Sequence, residues 1–62
     1  MKTQRDYDWI ATTLINDEAS SDDEMTEHFQ HEGEMTHAEA VFYVAQRNDA
    51  LRDSLNFTLQ KY

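Results

Sequence analysis

Three histidines and their acidic neighbours come nearest, by type and spacing, to a chemical site in this sequence. His28, His31 and His37 lie among Glu24, Glu27, Glu32 and Glu34. Glu24/His28 and Glu27/His31 are each four residues apart, so on a helix each pair shares a face. His28 and His31, however, point in directions roughly 60° apart on such a helix. The zinc-helix pattern of two histidines four apart around a glutamate is absent. These are read as surface histidines of an acidic helix, and no metal ligand is assigned. From Asn16 to Glu27 there is a calcium-loop cadence, with side-chain oxygens at Asn16, Glu18, Ser20, Asp22, Glu24 and Glu27. Ser21 stands where that loop needs glycine, and the eighth position is not apolar. The same residues also read as a turn followed by a capped helix.

Catalytic chemistry finds no foothold. There is no cysteine nucleophile and no glycine-rich phosphate loop, and 62 residues enclose a ligand-sized pocket with difficulty. The expectation is a protein that is not an enzyme, has no catalytic residues and needs no cofactor.

Charge is more informative. The net charge is −8, and from Asp6 to Gln46 there are eleven carboxylates and no lysine or arginine. Lys2, Arg5, Arg47, Arg52 and Lys61 all fall outside that window. A field of one sign repels nucleic acid and anionic membrane and attracts basic surfaces. A helix-turn-helix around Gly33 is disfavoured for the same reason: its recognition helix would open on Glu39 and carry no basic residue before Arg47.

The elements that must position these groups are helical. Zero proline and the single Gly33 argue against sheets and long loops. Thr3 and Asp6 offer a first cap, after which Tyr7, Ile10, Ala11 and Leu14 mark one face of a helix over 4–16. Trp9 falls off that face, either flanking the core or serving as a binding anchor. Ser21 and Glu24 form a capping box for a helix over 22–32, whose apolar side is Met25 and Phe29. Asp22, Asp23 and Glu24 put negative charge where the helix dipole favours it. Gly33 fits a left-handed residue ending that helix.

Thr36 and Glu39 cap a third helix, with Met35 and Ala40 placed for a hydrophobic staple. The stripe Ala40, Val41, Val44, Leu51, Leu55, Leu59, Tyr62 predicts that it continues over 37–60, with Leu51 and Leu55 central to the core. A thinner seam, Tyr43, Ala50 and Phe57, recurs every seven residues near Phe42. A helix apolar on two faces is either sandwiched within its own chain or shared with another, so dimerisation through the third helix stays open.

Glu34-Met-Thr-x-x-Glu39 leading into Val41-Phe-Tyr43 resembles the start of the long helix of Hha/YmoA-type nucleoid modulators. Those are small helical proteins that bind the nucleoid protein H-NS and are not enzymes. The likeness covers residues 34–43, implies a protein-binding regulator and transfers no site residues.

The sequence therefore describes one acidic all-α domain over 1–62, a three-helix bundle with a long C-terminal helix. Its expected role is a small inhibitor or modulator, of the kind phages and mobile elements encode, acting as a DNA mimic on a basic, nucleic-acid-binding protein. Asp17, Glu18, Asp22, Asp23, Glu24, Glu27, Glu32 and Glu34 form the expected binding face. The alternatives are a regulatory subunit docking through Trp9, Phe42, Tyr43, Ala50 and Phe57, and more distantly a small metal-binding protein. Without a disulfide frame, a signal-length apolar run or a membrane span, the expected location is the cytoplasm, that of a host cell if the source is a phage.

Overall fold

Residues 2–62 are described by a computed structural model, and they hold four helices: α1 (Gln4–Asn16), α2 (Asp22–Glu32), α3 (His37–Val44) and α4 (Arg47–Arg52). The first three begin at complete capping boxes. Thr3, Ser21 and Thr36 each accept from the backbone N–H three residues on, and Asp6, Glu24 and Glu39 each reach back to the cap's own N–H. The two bonds at each site satisfy donors that an isolated helix start leaves open. Replacing such a cap by alanine typically costs about 0.5–2 kcal/mol. The helices over 4–16 and 22–32 accordingly begin and end where the sequence places them.

The third helix does not run to residue 60. It breaks at Ala45–Gln46 and ends at Arg52, so α3 and α4 form a bent helical segment over 37–52. At the break the N–H of Gln46 donates to Tyr43 O at 3.0 Å, a tighter bond than the helical one, before Ala50 resumes the ladder on Gln46 O at 3.1 Å. Beyond Arg52 a turn takes over. The Asp53 carboxylate accepts from the Asn56 backbone at 3.3 Å and from its side-chain amide at 2.9 Å. Such local bonds compete with helix continuation, and Asp and Asn favour turns for this reason. Phe57–Tyr62 then follow without helix.

Of the expected stripe, Ala40 and Val44 are buried, but its residues beyond the bend are not enclosed. Leu55 is 95% exposed and Tyr62 66%, while Leu51 and Leu59 are only half-buried and Val41 faces out. Tyr43 and Ala50 lie on the seam for which packing within the chain, docking and dimerisation were all open, and they are enclosed by their own chain at 1% and 0% exposure. They join Ile10, Leu14, Met25, Phe29, Met35, Ala40 and Val44 in one core. The bend pairs α2 with α3 and α1 with α4, so one seam lies inside and dimerisation through it has no free surface.

Gly33 also departs from expectation. Its φ is −89°, and the left-handed residue is Glu34, at φ 53°. Glycine is needed at 33 for space: an added Cβ would lie 2.6 Å from Phe29 O, 2.8 Å from Met35 Cε and 3.2 Å from the Trp9 ring. Close packing of α1 on the end of α2 uses the one glycine, and the adjacent glutamate carries the strained backbone.

Candidate functional site

The outer surface of α2 is where the acidic residues gather. Met25, Thr26 and Phe29 are buried. At 100° per residue the opposite arc holds Glu24, Glu27 and His31, flanked by Asp23 and His28, and all five are exposed. Asp23 and Glu27, one helical turn apart, make no ion pair among the described residues, and neither does exposed Glu18. Glu24 is exposed too, but its carboxylate accepts the Ser21 N–H at 3.1 Å and is part of the cap.

The other acidic residues of the expected face are engaged elsewhere. Asp17 is half-buried and accepts from the Ser20 N–H at 3.0 Å and the Ser20 hydroxyl at 2.8 Å. Those bonds, the backbone one foremost, hold its carboxyl below the usual aspartate range. Asp22 pairs with Arg47 at 2.6 Å. Glu32 and Glu34 line a hollow shared with Lys2, Arg5 and Trp9, so basic residues from the chain's start return beside them. The free field thus centres on Glu18, Asp23 and Glu27, narrower than the eight-residue face the sequence suggests.

Arg47 is the residue that sequence reasoning missed. Its side chain is 11% exposed. One guanidinium nitrogen donates to Ser20 O at 2.7 Å, and the other meets the Asp22 carboxylate. The fork closes the loop between α1 and α2 onto the start of α4, as a planar guanidinium does well. Nothing local signals this, since the partners lie 25 to 27 residues away. Lys2 does similar work at the other end by pairing with Glu39. That bond comes first in lowering the Glu39 carboxyl, ahead of the Thr36 backbone bond, and it likewise raises the Lys2 ammonium.

The histidines do not converge. His28 lies beside Trp9 with ring centroids 5.5 Å apart, His37 contacts Gln30 at 3.3 Å, and His31 faces outward. Among the described residues no group of three or more His, Cys, Asp and Glu is placed to hold a metal ion. No helix among them is long and apolar enough to cross a membrane. No protein-family model, curated protein or solved structure matches this chain. The likeness of residues 34–43 to Hha/YmoA-type modulators stands on those residues alone. Of the residues expected to make apolar contacts, Trp9, Phe42 and Phe57 are half-buried against the core, and Tyr43 and Ala50 are part of it.

Proposed function

We propose that this chain is a small acidic inhibitor or modulator that offers the outer face of α2 to a basic, nucleic-acid-binding surface of another protein, in place of a nucleic acid strand. The observation that carries this is the exposed carboxylates of Glu18, Asp23 and Glu27, none of them paired with a base among the described residues. Asp22 is neutralised by Arg47, Glu24 is tied into its cap, and Glu32 shares a hollow with Lys2 and Arg5. Asp23 and Glu27 stand one helical turn apart, about 6 Å along the axis, and the phosphates of one duplex strand follow at about 3.4 Å. A groove built to neutralise phosphates meets unpaired carboxylates there at a spacing of the same few-ångström scale. Ordinary soluble surfaces intersperse the two signs, and this face does not.

Docking through apolar residues, as a regulatory subunit would, has less to offer because Tyr43 and Ala50 are enclosed. The source as a phage or mobile element and the host cytoplasm as location belong to the same proposal and rest on size and acidity.

The test is charge reversal that spares the cap. Glu18→Lys, Asp23→Lys and Glu27→Lys leave Glu24 and its bond to Ser21 intact. Used as bait in a lysate of the native host, the parent chain is expected to retain a basic nucleic-acid-binding protein that salt releases, and to displace nucleic acid from it. The reversed chain is expected to retain its helical signal and melting midpoint but lose that protein. Equal capture by both chains would sink the proposal, as would capture that persists unchanged at high salt.

A further inference from the structure

The last six residues lie as an extended strap against α1, α3 and α4. The Gln46 carboxamide pairs with both backbone groups of Gln60: its Nε2 donates to Gln60 O at 2.9 Å, and its Oε1 accepts the Gln60 N–H at 2.8 Å. A side chain here imitates one rung of an antiparallel ladder, so it grips backbone whatever the side chain at 60. The Tyr62 N–H donates to the Tyr43 hydroxyl at 3.1 Å. The Lys61 ammonium sits 4.4 Å from the Tyr7 ring centroid, and the Tyr62 ring meets Phe42 edge-on at 5.4 Å. Phe57 and Leu59 are half-buried and alternate with exposed Thr58 and Gln60, as extended chain requires.

The strap hangs from α4 by the Asp53–Asn56 turn, which places a 95% exposed leucine, Leu55, near its tip. Nothing among the described residues covers it.

We propose that the strap exchanges between two copies of this chain, each copy's Tyr7, Phe42, Tyr43 and Gln46 taking residues 57–62 of the other, with residues 53–56 as the hinge. A second copy is the occupant whose fit is already displayed, because every bond of the closed strap is remade when the exchange is reciprocal. The hinge supplies the second reason. When the turn opens, the two hinges pass one another about the two-fold axis, and residue 55 at the middle of one meets residue 55 of the other. Leu55 then gains the apolar cover it lacks in the closed chain. At a net charge of −8 per copy, the exchange is held back by repulsion and promoted by salt. Its salt dependence is thus opposite to that of the charge-led complex proposed above, and it does not depend on that complex.

The test uses the full chain. Sedimentation at about millimolar protein, the scale of a tethered segment's effective concentration, is expected to show a dimer that grows as salt is raised to about 0.5 M. In a mixture of isotope-labelled and unlabelled chains, intermolecular contacts between Lys61 protons and the Tyr7 ring are expected in that dimer. Leu55→Ser is expected to lower dimer affinity by about tenfold or more, as befits the burial of one leucine side chain, with the melt of the dilute monomer unchanged. A chain that stays monomeric under these conditions overturns the proposal. So does a dimer without the Lys61–Tyr7 contact, which is read on the parent chain and does not depend on how the variant folds. A Leu55→Ser dimer as tight as the parent's removes the hinge contact and with it the proposal.

Discussion

Arg47→Ala is the substitution through which the architecture is most sharply tested. The guanidinium makes one short bond to a backbone carbonyl, Ser20 O at 2.7 Å, and one to the Asp22 carboxylate at 2.6 Å. Its approach to Asp17 O, at 3.5 Å, is too long to count. A hydrogen bond with a charged donor contributes about 1.5–3 kcal/mol. The Asp22 side chain is 79% exposed, so solvent screens that pair to under about 1 kcal/mol. Water recovers part of the freed carbonyl's bonding, leaving an expected loss of about 2–3 kcal/mol. A domain of this length has about 3–9 kcal/mol in all, and the melting midpoint should fall by roughly 10–20 °C. Urea titration followed by far-UV circular dichroism measures the loss, with an unchanged slope confirming two-state comparison. Arg47→Lys keeps the charge and loses the fork, and is expected to recover no more than about 1 kcal/mol. In a double-mutant cycle the coupling to Asp22→Asn should also stay below about 1 kcal/mol. An Arg47→Ala chain within about 0.5 kcal/mol of the parent would refute the clamp. An Asp22→Asn variant as damaged as Arg47→Ala would move the clamp from the carbonyl to the ion pair.

Leu55→Ala should leave thermal stability within about 0.5 kcal/mol, as for any exposed site, whereas Ala50→Glu should unfold the chain by placing an unpaired carboxylate in the core; circular dichroism melts distinguish the two. Glu34→Gly should stabilise by about 1 kcal/mol through relief of the left-handed backbone, while Gly33→Ala should destabilise by crowding Phe29, Met35 and Trp9; both are read by denaturant titration. Asp6, Asp17 and Glu39 have carboxyls lowered from ordinary values of 3.8, 3.8 and 4.5, chiefly by bonds from Thr3, Ser20 and Lys2 respectively. Their contribution is complete above those ordinary values and is lost as pH falls through the lower folded ones, so melts should weaken below about pH 4. Lys2, raised from 10.5, contributes fully below that value and is lost at higher pH. Added salt should raise the melting midpoint near neutrality, because like charges repel within a molecule whose radius of gyration, 10.5 Å, is close to the screening length of about 10 Å at 0.1 M.

The helix starts were legible because the groups that make them lie three residues apart: Thr3 with Asp6, Ser21 with Glu24, Thr36 with Glu39. The third helix's end was less so. No glycine or proline marks the break at Ala45–Gln46, and the turn residues Asp53 and Asn56 compete with an unbroken leucine spacing across them. Once the helix is read through, Leu51 and Leu55 are carried into the core along with Ala40 and Val44, which are buried, and the place of Tyr43 and Ala50 in that core stays undecided. The acidic surface was legible in composition but not in extent. Arg47 and Lys2 reach their partners across 25 to 37 residues, and only the folded chain brings Arg5 beside Glu32 and Glu34. Gly33 stood out as a helix terminator, while the packing of Trp9 that requires it involves a residue 24 positions earlier.

The capping boxes also order events in time. Each closes a loop of three residues, a nanosecond-scale search, so α1, α2 and α3 can flicker into existence before the chain is compact. The Arg47 fork spans 25 to 27 residues and the Lys2–Glu39 pair 37, and neither can form until those helices have met. Substitutions at the caps should therefore slow refolding, whereas loss of the fork or of Lys2 should leave the refolding rate nearly untouched and hasten unfolding. The lifetime of the native chain should then be set by two late contacts, one near the start of the bent helical segment and one at its bend.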